Sequence, residues 1–82
     1  MVRKTHWRSR ISIDRRIHHG DPCIKGTRVP VSVVVGSLAE GSTISEILRE
    51  YPSLERADIR AALRFAAEAV SGFDFLPLVA KR

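Results

Sequence analysis

Hydrophobic and polar positions change their period along this chain, and the changes mark its elements. Ser9-Arg10-Ile11-Ser12-Ile13 alternates polar and apolar, the period-two pattern of a short strand. Asp14 to Asp21 is polar, contains Gly20, and reads as a turn or irregular loop. Cys23-Ile24-Lys25 reads as a second short strand, entered by Pro22 and left by Gly26. Two strands this short are marginal alone and need helices, or a second copy, against them. From Val29 the local preference and the spacing disagree. Val31, Val33, Val34 and Val35 are β-branched and favour a strand, but Val31, Val34, Val35 and Leu38 fall at i, i+3, i+4 and i+7. The spacing predicts a helix to Glu40, with Pro30 in its first turn and Gly41 just past its end.

A second helix opens at Thr43, with Glu46 three residues on completing a capping box. Ile44, Ile47, Leu48 and Tyr51 supply its apolar face, and Pro52 stops it. A third runs from near Glu55 to about Val70, with Ile59, Ala62, Leu63, Ala66 and Val70 on one side. Gly72 ends it. The connection between the second and third helices, about three or four residues, is the length a helix-turn-helix needs. The expected fold is mostly α: a three-helix, homeodomain-like helix-turn-helix domain with a short N-terminal β element. It occupies residues 9–72, after a mobile basic arm over 1–8 and before an apolar C-terminal tail over 73–82.

Composition narrows the partners. The chain has 82 residues, enough for one small domain that gains much from a partner. Lysine and arginine number 14 against 9 acids, a formal charge of +5. Most of the basic residues are arginine, whose planar fork suits phosphate, base edges and protein interfaces alike. One cysteine permits no internal disulfide. No apolar run reaches the roughly 20 residues of a membrane span, and no secretory signal is read at the start. The cytoplasm is the expected compartment.

Arg56, Arg60 and Arg64 recur every four residues on one face of the third helix, with Ala57 and Ala61 beside them. Such a shallow basic face can enter a major groove. It can equally be a solvated face, with Arg64 paired to Glu68 one turn on. Arg3, Lys4, Arg8, Arg10, Arg15 and Arg16 concentrate charge in the first sixteen residues. That arm can follow DNA phosphates or simply remain solvated. The DNA-contacting candidates are therefore Arg56, Ala57, Arg60, Arg64, Arg8 and Arg10.

The twelve residues Gly20-Asp21-Pro22-Cys23-Ile24-Lys25-Gly26-Thr27-Arg28-Val29-Pro30-Val31 read as a structural clasp feeding the first helix. Within it, Gly20, Gly26, Thr27, Arg28 and Pro30 are structural turn residues. Arg28 either ties the strand region to a carboxylate or helix end, or contacts a phosphate. Cys23 reads as a small buried side chain. His18 and His19 are adjacent, point apart in extended chain and lack a partner pair, so neither a metal nor another cofactor is expected. No nucleophile–base arrangement or nuclease-like acid cluster stands out, so the chain is not expected to be an enzyme. Phe73, Phe75, Leu76 and Leu78 in the tail are partner-binding candidates, suited to a hydrophobic groove on another protein. The alternative is that the tail folds over the first helix or a dimer mate.

The clasp, together with Gly41, Ser45-Glu46-Ile47-Leu48, Tyr51-Pro52-Ser53-Leu54 and Asp58-Ile59-Arg60-Ala61-Ala62-Leu63, resembles the DUF433 family over roughly residues 10 to 70. The resemblance implies a homeodomain-like, winged-helix-type domain whose β element often serves dimer formation. It also implies similarity to the antitoxin halves of type II toxin–antitoxin pairs, whose toxins look like PIN-type ribonucleases. The expected function is then an antitoxin that neutralises a PIN-like toxin and, as a homodimer, binds double-stranded operator DNA. The alternatives are a protein-interaction module without DNA binding, or a stand-alone transcriptional regulator. Two positions depart from the family pattern. Asp21 replaces a usual lysine, and Glu55 with Asp58 opens the third helix, where carboxylates would repel a phosphate.

Overall fold

The computed structural model describes residues 6–16 and 18–71. Within them the chain is mostly helical, with three helices and a two-strand β element ahead of them. It begins with a 3-10 turn, Trp7–Arg10, that leads directly into β1, Ile11–Ser12. A second 3-10 turn, His18–Gly20, precedes β2, Cys23–Ile24. The helices are α1, Val31–Ala39, α2, Ile44–Glu50, and α3, Arg56–Ser71.

The β element owes its stability to pairing on both sides of β2. On one side β1 runs antiparallel, with Ile11 opposite Ile24 and Ser12 opposite Cys23. The Lys25 N–H extends this ladder by donating to Arg10 O at 2.8 Å. On the other side the chain doubles back on itself. Gly26 takes φ 80°, a value glycine adopts without a Cβ clash, and Thr27 N–H closes the turn on Ile24 O at 3.0 Å. Thr27 then locks it twice: its hydroxyl donates to Ile24 O at 2.7 Å and accepts from Val29 N–H at 3.0 Å. The returning segment pairs with β2 through Ile24 N–H to Val29 O and Val31 N–H to Pro22 O, both 2.9 Å. The twelve-residue clasp is thus a tight hairpin whose outgoing arm becomes a helix. Pro30 takes the N-cap position of α1 (φ −68°, ψ 147°), one residue earlier than the first-turn position expected from sequence.

The helix boundaries follow their capping chemistry. At the end of α1, Ser42 N–H donates to Ser37 O at 2.9 Å and Gly41 N–H to Leu38 O at 3.0 Å. This crossed pair is a Schellman motif, and Gly41 supplies its positive φ of 103°. The α2 capping box is complete: Glu46 N–H donates to the Thr43 hydroxyl at 3.1 Å, and Thr43 N–H to the Glu46 carboxylate at 2.8 Å. Five residues, Tyr51 to Glu55, separate α2 from α3.

The core is small. Ile24 from the hairpin, Val31 and Val34 from α1, Ile47 from α2, Leu54 from the connection, and Ile59 and Ala62 from α3 form one buried cluster. Helix α3 departs from the face read in the sequence. Ile59 and Ala62 are buried as expected, but Leu63 is 42% exposed and Val70 61% exposed. Asp58 and Ala61 are buried in addition, and Phe65 packs against the core. The reason is the N-terminal turn. Trp7 meets Phe65 edge-on, with ring centroids 6.4 Å apart, and covers a second side of α3. Trp7 and Arg8, assigned from sequence to a mobile arm, therefore lie in a turn docked on α3, because the indole finds an aromatic partner there.

Candidate nucleic-acid interface

Helix α3 brings Ala57, Arg60 and Arg64 to one surface, and the N-terminal turn adds Trp7 and Arg10 to it. Together with Ala61, Leu63 and Ala67 they line a groove of about 570 Å³. Its lining is apolar between guanidinium groups. Small alanines on α3 leave it shallow, and Trp7 walls it. Arg56 lies one turn before Arg60 on the exposed side of α3.

The six DNA-contact candidates differ in their engagement. Arg56 and Arg60 are exposed and make no ion pair among the described residues. Arg64 pairs with Glu68 at 3.6 Å, the i, i+4 contact anticipated for a solvated face. Arg8 stacks over the Trp7 ring, 4.6 Å from its centroid, and reaches Glu68 at 3.9 Å. Ala57 is half-buried in the groove. Arg10 is committed to structure: it donates to Asp58 Oδ1 at 2.9 Å and lies 3.4 Å from Glu55 Oε1. The Asp58 bond is the main cause that raises the Arg10 guanidinium above its ordinary pKa, so it stays charged.

Asp58 changes meaning in the structure. The residue is 7% exposed, and its second carboxylate oxygen accepts from Glu55 N–H at 2.8 Å at the start of α3. The acid thus satisfies a helix-terminal donor and neutralises Arg10, rather than facing a ligand at the helix end. The Glu55 side chain remains 71% exposed. Sequence reading missed both the Arg10–Asp58 clasp and Trp7. The Glu55-x-x-Asp58 spacing carried a signal for the inward turn of Asp58, since an acid three residues beyond a helix cap reaches back to it, but none for its pairing with Arg10. A lone tryptophan inside a basic run was the signal for the second.

The turn residues sit apart from this groove. Gly20 has φ 91° and Gly26 φ 80°. Gly26, Thr27 and Arg28 line a polar cleft with Ser12, Val29 and Ser53. Cys23 is buried, and burial pushes its thiol pKa up. Among the described residues no group of three or more His, Cys, Asp or Glu side chains could hold a metal ion. No helix there is long and apolar enough to cross a membrane. Phe73, Phe75, Leu76 and Leu78 lie outside the described residues.

This fold and these motifs coincide with a family model described as "Protein of unknown function (DUF433)", which matches residues 11–66. The chain belongs to the DUF433 family. The match takes in β1, the hairpin, all of α1 and α2, and α3 as far as Ala66. A crystal structure of a DUF433 member from Anabaena variabilis superposes with a TM-score of 0.70 at 30% identity, covering 72% of this chain and 58% of that one. An uncharacterised protein of Sinorhizobium fredii, y4eO, is 43% identical over 47 residues, 57% of this chain. The aligned part is 21% of the length of that relative, so this DUF433 unit corresponds to a small part of a larger protein there.

Proposed function

We propose that this chain is the antitoxin of a type II toxin–antitoxin pair, binding operator DNA as a homodimer through α3 and neutralising a PIN-like ribonuclease. The observation that carries the DNA half is the α3 surface. Arg56 and Arg60 stand exposed without an ion pair among the described residues, while the Asp58 carboxylate that opposed such docking is turned inward onto Arg10. Ala57 and Ala61 keep the groove beside them shallow enough for close approach. Arg64 and Arg8, held lightly at the surface by Glu68, would release to phosphates at little cost. Arg10 is removed from the reading set. Two copies of α3 in a two-fold dimer would meet half-sites roughly 34 Å apart.

The antitoxin half rests on family likeness and on the tail, with Phe73, Phe75, Leu76 and Leu78 as its apolar contacts. The test is co-expression with the protein encoded beside this gene, purification through a tag on one partner, and a mobility shift with the upstream duplex. A stable complex that shifts this duplex better than a scrambled one supports both halves. A complex that ignores DNA supports a protein-interaction module, the reading favoured by the exposed Glu55 at the helix start. DNA binding without a complex leaves a stand-alone regulator.

A further inference from the structure

One face of α3 carries alanines and arginines at the same steps. Ala57, Arg60, Arg64 and Ala67 recur every three or four residues, so two guanidiniums stand in the middle of an apolar stripe about 15 Å long. Trp7 of the N-terminal turn and Leu63 also line the groove, and Leu63 is 42% exposed although it is a large aliphatic residue. The groove's volume of about 570 Å³ falls within the roughly 300–1,000 Å³ of small-molecule sites, which combine an apolar lining with a few placed polar groups. Among the described residues, three guanidiniums and no carboxylate line it.

We propose that this groove binds a free organic anion with an apolar tail, a medium-chain carboxylate, its head between Arg60 and Arg64 and its hydrocarbon chain along α3 against Trp7 and Leu63. Each half of the ligand answers a feature of the wall. Arg60 and Arg64 lie one helical turn apart, a spacing at which two forks can share one carboxylate. Arg60 makes no ion pair among the described residues. Arg64 holds Glu68 at 3.6 Å between exposed side chains, a pair that solvent screens and a bound carboxylate replaces at little cost. Arg10 stays with Asp58 and adds to the positive field without changing partner. The hydrocarbon chain gains by covering the indole and the Leu63 methyls. Charge complementarity selects an anion over a neutral or cationic amphiphile. The apolar groups lie in a recess between two elements rather than on projecting tips, which suits a single molecule laid lengthwise and not the face of a bilayer. The site requires no DNA binding by α3.

Trp7 is the single tryptophan of the chain and lines the groove, so its emission reports occupancy. The full chain is titrated with octanoate, decanoate and dodecanoate below their micelle concentrations, and with decyltrimethylammonium as the cationic counterpart. The expected result is a saturable blue shift with the carboxylates, Kd falling by about fourfold or more for each two methylenes added. The cation should bind at least about tenfold more weakly. Arg60→Ala with Arg64→Ala should weaken decanoate about tenfold. Arg49→Ala, at an exposed arginine on α2, should leave it unchanged, with circular dichroism as the check on each fold. The chain-length and charge series need no substitution and decide the matter if the double variant loses its fold. Equal affinity for the cation, or in a folded double variant, would mean surfactant adsorption only and would overturn the site. Emission that shifts with protein concentration before any ligand is added would assign the groove to a second copy and overturn it too. So would the absence of a saturable shift, which would leave the groove to a protein partner or to DNA.

Discussion

The Asp58 carboxylate accepts at both oxygens, from Glu55 N–H at 2.8 Å and from Arg10 at 2.9 Å, inside a site where only 7% of the residue meets solvent. Asp58→Ala therefore removes a helix-start acceptor and leaves the Arg10 guanidinium only the longer, exposed contact to Glu55 at 3.4 Å, a loss of about 2 kcal/mol. For a domain of this size that lowers Tm by roughly 8–16 °C. Asp58→Asn keeps one acceptor and loses less. Arg10→Ala is expected to cost about 1 kcal/mol, because the guanidinium is partly exposed and solvent screens the pair. If thermal melts show Arg10→Ala at the wild-type Tm, the ion pair is not structural and Arg10 returns to the DNA-contact set. Cys23 gives a prediction in pH. Burial raises its thiol pKa in the native state, so the folded chain keeps a proton that the unfolded chain releases. Its contribution to stability is full below the ordinary thiol pKa of about 8.5 and is lost as pH rises through the native value. At pH 8, native protein should react with a thiol reagent far more slowly than urea-unfolded protein; equal rates would show that the thiol is neither buried nor shifted.

The clearest tests of the elements are at their ends. Gly41→Ala forces a side chain into φ 103°, and nothing lies within 4 Å of the added Cβ, so the cost is backbone strain alone. About 1–2 kcal/mol is expected, read in urea as a lower midpoint with an unchanged slope. Thr43→Ala breaks the capping box and costs about 1 kcal/mol. These ends were legible in the sequence because capping is local chemistry: Thr43 with Glu46, and Gly41 after a helical run, need no knowledge of the rest of the fold. The α1 helix was legible through its spacing despite four β-branched valines. Pairings between distant residues were not legible. The buried face of α3 was misread at Leu63 and Val70 because Trp7 covers the helix from another direction. Arg10 counted as one more charge of a basic arm, since nothing near it in sequence discloses Asp58. Of the candidate site, the sequence put Arg56, Arg60 and Arg64 on one face with Ala57 and Ala61 beside them; the groove takes in Ala57, Ala61, Arg60 and Arg64, and its tryptophan wall was not read from the sequence.

At the scale of the whole molecule the basic surface should behave as a set of separable charges. Arg56→Ala with Arg60→Ala is expected to leave Tm within about 1 °C of wild type, since neither guanidinium forms an ion pair among the described residues and both side chains are exposed. The same double change should reduce the slope of log K against log salt for duplex binding by about 2, one for each phosphate no longer neutralised. An unchanged slope would place the DNA-binding surface elsewhere. The link between the first turn and the last helix also bears on how the chain comes off the ribosome. Arg10 and Asp58 are 48 positions apart. At roughly 5–20 residues per second, about 2–10 s pass between their syntheses. Throughout that interval the N-terminal turn has no α3 to sit on, and the indole of Trp7 and the open face of the hairpin are displayed to whatever meets a nascent chain. The domain closes last at the place where it began, so its earliest residues are the last to be protected.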